Sequence, residues 1–365
     1  MPTAYINGKF FTGESFEEGK AVLTDMGIIT QIVDEADVPD TYSKKDLGGY
    51  NVAPSFIDLQ IYGGNGKMFS DDLNIDALDA TYQYCLAGGA SHFMITLATN
   101  SIEVFLEGAK AVRSYWQNGG KGLLGLHLEG PYINPLKKGA HIEQYIKTPG
   151  IEELKMLMDK AGDVIKMITV APEVCSDDVL EFLLEHVRIV SAGHTNATYK
   201  QAQYGFGKGI MTATHLFNAM TGLQHREPGV VGAVFNDSNV MSSIVCDGIH
   251  VDFAAVRIAK KVMEQRLFYI TDAVAESKKG SYPHVFKNDR YTLPDGTLSG
   301  SCLTMMQCVK NGIERAGIQP EESLRMAAEY PASLLQSESP QGKIQEHHAA
   351  HFVVFDDDYK VVRVI

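Results

Sequence analysis

The sequence predicts an α/β chain: a (β/α)8 TIM-like barrel with a small β-sandwich domain formed by both chain termini. Three observations predict it. From about Val52 to Gln341, eight strand-like apolar runs alternate with helix-like segments over roughly 290 residues, the order and size of such a barrel. Both ends carry short strand-like runs, and no helical signal separates either set from its terminus. Four side chains able to bind metal or carry protons each close one of the apolar runs, where a parallel barrel places its chemistry.

At the N-terminus, Ala4–Asn7, Phe10-Phe11, Ala21–Thr24 and Ile28–Val33 read as strands broken by turn residues. At the other end, Ala349–Phe355 and Tyr359–Ile365 flank the acidic turn Asp356–Asp358. Termini often lie close together, so residues 1–52 and 342–365 are expected to share one small domain and 53–341 to form the barrel. The expected barrel strands are Phe56–Ile61, His92–Leu97, Gly122–Leu128, Val164–Val170, Ile189–Ala192, Ile210–Ala213, Met241–Cys246 and Leu267–Thr271. The expected helices are Leu78–Leu86, Ser101–Trp116, Ile151–Lys160, Ser176–His186, Tyr199–Phe206, Asp252–Glu264, Met305–Ala316 and Pro320–Leu335.

Composition removes several function classes. The 365 residues carry a net charge of −13, whereas a nucleic-acid binder should present a basic face. No apolar run approaches the ~20 residues of a membrane helix, and the first residues lack the layout of a signal peptide. The five cysteines are odd in number and scattered, with no Cys-x-x-Cys pair, which reads as reduced thiols in a cytoplasmic protein.

The most informative stretch is Leu124–Tyr132, reading LGLHLEGPY. Side chains two apart on a strand share a face, so His127 and Glu129 are aimed the same way just before a turn. His194, His215 and Asp272 close three later runs. One histidine at a strand end is more often structural. Three imidazole or carboxylate ligands plus a fourth group free to take a proton is the make-up of a catalytic metal site. Glu129, His194, His215 and Asp272 are therefore the four carriers, and His127 is either a ligand or a group orienting one. His141 sits in the polar loop Lys137–His141, within reach of a substrate carbonyl. Asn218 and Ala219 follow His215 in a loop with backbone N–H groups to offer. Arg226 is an arginine in a barrel-top loop of an acidic chain, a candidate anion receptor. Leu298–Ser301 is a Gly/Ser turn ahead of a helix, a weak phosphate-cradle signal alone.

At these residues the chain resembles the N-acetylglucosamine-6-phosphate deacetylase family of the amidohydrolase superfamily. The segments carrying the resemblance are HLEGPYINPLKKGAH (127–141), APE (171–173), SAGHTNATY (191–199), THLFNAM (214–220), REPG (226–229), DGIHVD (247–252), TDA (271–273) and LSGS (298–301), in the family's order. The resemblance implies Glu129, His194 and His215 as ligands of one divalent metal per chain, zinc being the first choice. It implies Asp272 as general base and acid, and His141 as the group polarising the acetyl carbonyl. Ala140, His141, Asn218, Ala219, Arg226 and His250 would contact a phosphosugar substrate, with Arg226 reaching across the interface of a homodimer. Many amidohydrolases carry His-x-His at the end of the first strand, whereas this chain has Gln60 and Tyr62, neither a typical zinc ligand, which argues for one metal rather than two.

The expected reaction is hydrolysis of the N-acetyl group of N-acetylglucosamine 6-phosphate. Two alternatives stay open from the sequence. One is the same chemistry on another N-acyl amino sugar such as N-acetylgalactosamine 6-phosphate, because no residue can be assigned to reading the epimeric hydroxyl. The other is a non-catalytic scaffold, which the lost His-x-His pair favours and the four retained carriers oppose.

Overall fold

The computed structural model describes residues 2–277, 280–335 and 340–365. The barrel runs β1 (Phe56–Ile61), α1 (Ile75–Ala87), β2 (Ala90–Ala98), α2 (Ile102–Gln117), β3 (Leu123–Glu129), α3 (Ile151–Ala161), β4 (Ile165–Val170) and α4 (Asp177–His186). It continues β5 (Ile189–Ala192), α5 (Tyr199–Lys208), β6 (Thr212–Ala213), α6 (Gly229–Asn236), β7 (Met241–Ile244), α7 (Phe253–Met263), β8 (Leu267–Tyr269) and α8 (Met305–Glu314). The eight strands pair in chain order, each parallel to the next. The ring closes where Ile61 bridges Ala273 in parallel, with the Asp272 N–H donating to the Gln60 carbonyl at 3.0 Å. That closure sets the residue after β8 against the end of β1, and this juxtaposition builds the site.

Strands covered on both faces bury every residue, and Phe56–Ile61 does so although it contains Asp58 and Gln60. The barrel interior is correspondingly polar in places. His127 is fully buried there; its Nε2 is 2.8 Å from Thr169 Oγ1, which lies 2.9 Å from Thr214 Oγ1, itself 2.6 Å from Ser191 Oγ. Asp58 accepts from the Thr271 hydroxyl at 2.5 Å, and burial still raises its carboxyl to about 6 against that bond.

The terminal strands form two sheets. One orders Ile28–Asp34, Lys20–Asp25, Thr3–Ile6 and Ser43–Asp46; the other orders Val361–Val364, Phe352–Phe355, Asn51–Pro54, Lys9–Phe11 and Phe16–Glu17. The C-terminal strand Phe352–Phe355 pairs antiparallel with Asn51–Pro54, so both termini enter one sheet. Tyr5, Phe10, Val22, Ile29, Val52, Phe352 and Val354 pack between the sheets, with Tyr5 edge-on to Phe352 at 5.2 Å.

Among the α-helices, two differ from the sequence reading. Helix α6, GVVGAVFN, was not expected, because glycine and β-branched residues with no polar face do not read as an amphipathic helix. The expected helix Pro320–Leu335 is two, α9 (Pro320–Ala327) and α10 (Glu329–Leu335), broken at Ala328, whose φ of −122° leaves the helical region. Pro331 has no N–H to return to the Ala327 carbonyl, which favours the break there.

One barrel histidine gives a pH-dependent stability. His92 on β2 packs against His351 at 4.8 Å, with Ser91 Oγ 2.8 Å from its Nδ1. Burial first, and then His351, lower its pKa from 6.5 to about 4. The folded chain thus keeps the ring neutral down to about pH 4, while the unfolded chain protonates it near 6.5. Below 6.5 the unfolded state binds the extra proton, so stability falls as pH drops towards 4, by on the order of 3 kcal/mol at pH 4 from this group. Urea denaturation at pH 7 and pH 4.5 should show His92→Gln losing less stability than the parent chain; an equal loss would remove His92 as the cause.

Candidate metal and active site

Three of the site residues sit at strand ends in a backbone conformation that non-glycine residues rarely adopt. His194 (φ 47°), His215 (φ 38°) and Asp272 (φ 53°) are all left-handed. Each lies two or three residues past the last ladder residue of β5, β6 or β8, so the chain turns and aims the side chain over the barrel mouth. Glu129 is the last residue of β3. The loop after β3 returns through Asn134, whose N–H donates to the His194 carbonyl at 2.9 Å, and delivers His141. Glu173, of the APE segment, staples this layer: it accepts from Asn134 Nδ2 at 2.9 Å, from Thr195 Oγ1 at 2.5 Å and from the Asn196 N–H at 2.6 Å.

The side chains converge on Glu129, which is 2 % exposed. Its Oε1 is 3.0 Å from His215 Nε2 and 3.3 Å from His194 Nε2, and its Oε2 is 3.0 Å from His141 Nε2. The two nitrogens of His194 and His215 are 3.1 Å apart. Burial acts to raise the Glu129 carboxyl, but the imidazoles of His194 and His141 outweigh it and hold it well below its ordinary range. Asp272 lies across from it. Burial and the Glu129 carboxylate push Asp272 up to about 8, with His215 pulling the other way.

Glu129, His141 and His194 bring ligand atoms within 4.8 Å of one another, and His215 adds another imidazole, so the cluster holds more imidazoles than a Glu/His/His site needs. Hydrogen bonds sort them. His194 Nδ1 faces the Lys137 carbonyl at 2.9 Å, an atom that can only accept, so Nδ1 carries a hydrogen and the neutral ring presents its lone pair at Nε2. In the neutral ring that lone pair lies 3.3 Å from Glu129 Oε1, an arrangement a divalent cation would satisfy. His141 is the opposite case: the Thr99 backbone N–H points at its Nδ1 at 3.3 Å, which leaves the hydrogen on Nε2. An Nε2–H is a donor and not a ligand. The donor set therefore fits a divalent ion held by Glu129 and His194, with His215, the second imidazole at Glu129 Oε1, as third ligand.

Gln60 and Tyr62 enter this cluster, although the sequence marked them only as an unusual replacement. Tyr62 donates to Glu129 Oε2. Gln60 Nε2 lies 3.0 Å from Glu129 Oε1, 2.8 Å from Asp272 Oδ1 and 3.0 Å from the Tyr62 oxygen. The amide thus sets its two hydrogens between two carboxylates, where the reversed amide would set oxygen against oxygen.

The pocket over the cluster is lined by Gly139, Ala140, Asn218, Ala219 and His250, together with Met68, Ala98, Val274, Tyr282, His284 and Leu298–Gly300. His250 donates from Nδ1 to Asp247 at 2.6 Å, which leaves Nε2 as an acceptor. Glu129, His141, His194, His215, Asn218, Ala219, Ala140, His250 and Asp272 thus meet in one cavity. Two residues singled out from sequence lie outside its lining. His127 is buried within the barrel below Glu129. Arg226 lies in the exposed loop 222–227. Sequence reasoning missed Tyr282 and His284, marked Gln60 and Tyr62 only as a replacement of two imidazoles, and read the LSGS turn only as a weak signal.

The sequence profile described as Amidohydrolase family matches residues 51–365. The N-acetylglucosamine-6-phosphate deacetylase of Haemophilus influenzae is 34% identical over 382 residues, covering 100% of this chain and 98% of the relative. The N-acetylgalactosamine-6-phosphate deacetylase of Escherichia coli O157:H7 is 30% identical over 333 residues, covering 86% and 85%. Among solved structures, the N-acetylglucosamine-6-phosphate deacetylase of Pasteurella multocida superposes with a TM-score of 0.93 at 34% identity, over 100% of this chain and 98% of that one.

Proposed function

Because the chain belongs to the amidohydrolase family, with full-length relatives that are N-acetylglucosamine-6-phosphate deacetylases, we propose that it hydrolyses the N-acetyl group of N-acetylglucosamine 6-phosphate. The products are glucosamine 6-phosphate and acetate. The observation that carries the reading is the placement of Asp272 beside Glu129, joined through the Gln60 amide and facing the same pocket as His141.

Glu129, His194 and His215 hold one divalent ion, zinc by the chemistry of two imidazoles and a carboxylate. When bound, that ion polarises the acyl oxygen and makes a neighbouring water more acidic. Asp272 accepts a proton from the water that attacks the acetyl carbon. His141 donates from Nε2 to the acyl oxygen as it gains negative charge. Asp272 then passes its proton to the amine nitrogen as the C–N bond breaks. Gln60 and Tyr62 occupy the place of a second ion's imidazoles and leave room for one metal.

Ala140, Asn218, Ala219 and His250 line the sugar-phosphate side. Arg226, exposed and away from its own pocket, serves the phosphate of a partner subunit in a homodimer. Arg226→Ala should raise KM about 30- to 100-fold for the 6-phosphate, the weight of one charge-assisted contact, and little for the unphosphorylated sugar. Equal effects on both substrates would count against the role. Mixing Arg226→Ala with Asp272→Asn chains should restore activity in heterodimers; none, with subunit exchange demonstrated, would place the arginine in cis. The five free thiols fit a cytoplasmic enzyme.

A second reading, N-acetylgalactosamine 6-phosphate as substrate, is favoured by the 30% identical relative that acts on it. Acetate release from a panel of N-acetyl sugars, each with and without phosphate, decides between them. No release from any of them would leave the non-catalytic scaffold.

A further inference from the structure

An imidazole can carry its hydrogen on either nitrogen, and only an Nε2–H form of His141 can donate to an acyl oxygen. The surroundings of Nδ1 decide which form exists. Thr99, at the end of β2 and fully buried, faces Nδ1 with two groups: its backbone N–H at 3.3 Å and its Oγ1 at 2.7 Å. A backbone N–H can only donate, so the atom it faces must carry a lone pair. A hydrogen on Nδ1 would meet that N–H head on. The hydroxyl's single hydrogen has two acceptors in reach, the Glu129 carbonyl at 3.2 Å and Nδ1 at the shorter 2.7 Å, while the backbone N–H is aimed at Nδ1.

Thr99 is itself held in place. The Tyr282 hydroxyl donates to the Thr99 carbonyl at 2.6 Å and accepts from the N–H of Ile142, the residue after His141, at 3.3 Å. One phenol thus ties the end of β2 to the loop that carries His141. Gly130 keeps the space open, since a Cβ there would lie 2.1 Å from Thr99 Oγ1 at a φ of +83°. His194, with its ring centre 4.2 Å from that of His141, has the reverse arrangement through the Lys137 carbonyl.

We propose that Thr99 is a positioning residue that fixes His141 as the Nε2–H tautomer, by presenting a backbone and a hydroxyl donor to Nδ1. The proposal rests on His141 acting as the donor to the acyl oxygen. It separates two adjacent imidazoles of one site into a donor and a lone-pair ligand before any substrate arrives.

The test is 15N NMR of the histidine ring nitrogens in the zinc-loaded enzyme, with His141 identified by the signal that His141→Gln removes. The expected result is a single tautomer with the hydrogen on Nε2. A hydrogen on Nδ1 would overturn the proposal without reference to any variant. Thr99→Val removes the hydroxyl and keeps the branched shape. It should broaden or split the His141 signal and lower kcat about 10-fold, with zinc content unchanged. KM should stay within about twofold, because the lost interaction is made in the transition state. Thr99→Ser should restore both spectrum and kcat. A Thr99→Val enzyme with the parent spectrum and kcat would overturn the role. The spectrum does not depend on turnover, so an Nε2–H tautomer in a chain that releases no acetate would sink the functional reading and leave the tautomer assignment standing.

Discussion

Asp272→Asn should lose at least ~10²-fold in kcat, the lower end of what a general base contributes, while keeping its metal. The substitution preserves shape and removes the atom that, in the proposed reaction, accepts the water's proton. Asn can still receive a hydrogen bond from Gln60 at the position where Asp272 Oδ1 stands 2.8 Å away, so the pocket should keep its form. Burial and the Glu129 carboxylate raise Asp272 to about 8, and a cation beside it draws that value down. The base works as a carboxylate, so kcat/KM should rise with pH along an acid limb whose midpoint lies below 8. The two measurements are kcat at saturating N-acetylglucosamine 6-phosphate and metal per chain by elemental analysis. Near-normal kcat in Asp272→Asn would end the assignment. Loss of the metal together with activity would instead make Asp272 a ligand.

The barrel was legible because most strands fall in largely apolar runs bounded by turn residues and most helices have a polar face. Phe56–Ile61 and Ile189–Ala192 match the expected bounds residue for residue. Helix α6 was not legible, because Val230, Val231, Ala233 and Val234 are fully buried and a helix covered all round carries no 3.6-residue signature. In the terminal domain, Ser43–Asp46 was missed because it is exposed and charged, SKKD, with no apolar alternation to mark it.

The site was legible to a different depth. Glu129, His194, His215 and Asp272 each close an apolar run, so their convergence followed from the barrel's geometry. What sequence could not show is how one imidazole differs from the next. His141 and His194 are alike in composition and 4.2 Å apart in space. A carbonyl against one Nδ1 and the N–H and hydroxyl of Thr99 against the other give them opposite hydrogen placements, and two of these three partners, Lys137 O and Thr99 N, belong to the backbone. Backbone partners leave no residue-type signal. Tyr282 and His284 were missed for a related reason: they lie just ahead of the hairpin strands Val285–Lys287 and Arg290–Thr292, where periodicity says nothing about which side chains fold back over the pocket.

His194→Ala should lose both metal and activity, the largest effect expected of any single change here. The imidazole supplies the lone pair that the Lys137 carbonyl fixes on Nε2, 3.3 Å from Glu129 Oε1 and 3.1 Å from His215 Nε2. Three described neighbours are poor replacements. His141 holds its hydrogen on Nε2, Gln60 turns its amide N–H groups toward the carboxylates, and burial with the Glu129 carboxylate raises the Tyr62 phenol well above its ordinary range, so it stays protonated. The parent chain should hold close to one metal after extensive dialysis, and His194→Ala well under one. Adding zinc should raise the Tm of metal-stripped parent chain, since a ligand that binds only the folded state stabilises it, and should leave the variant unmoved. His194→Ala that keeps its zinc would show that the ligand set is wrong. Two metals surviving dialysis in the parent would show that Gln60 and Tyr62 do not exclude a second ion.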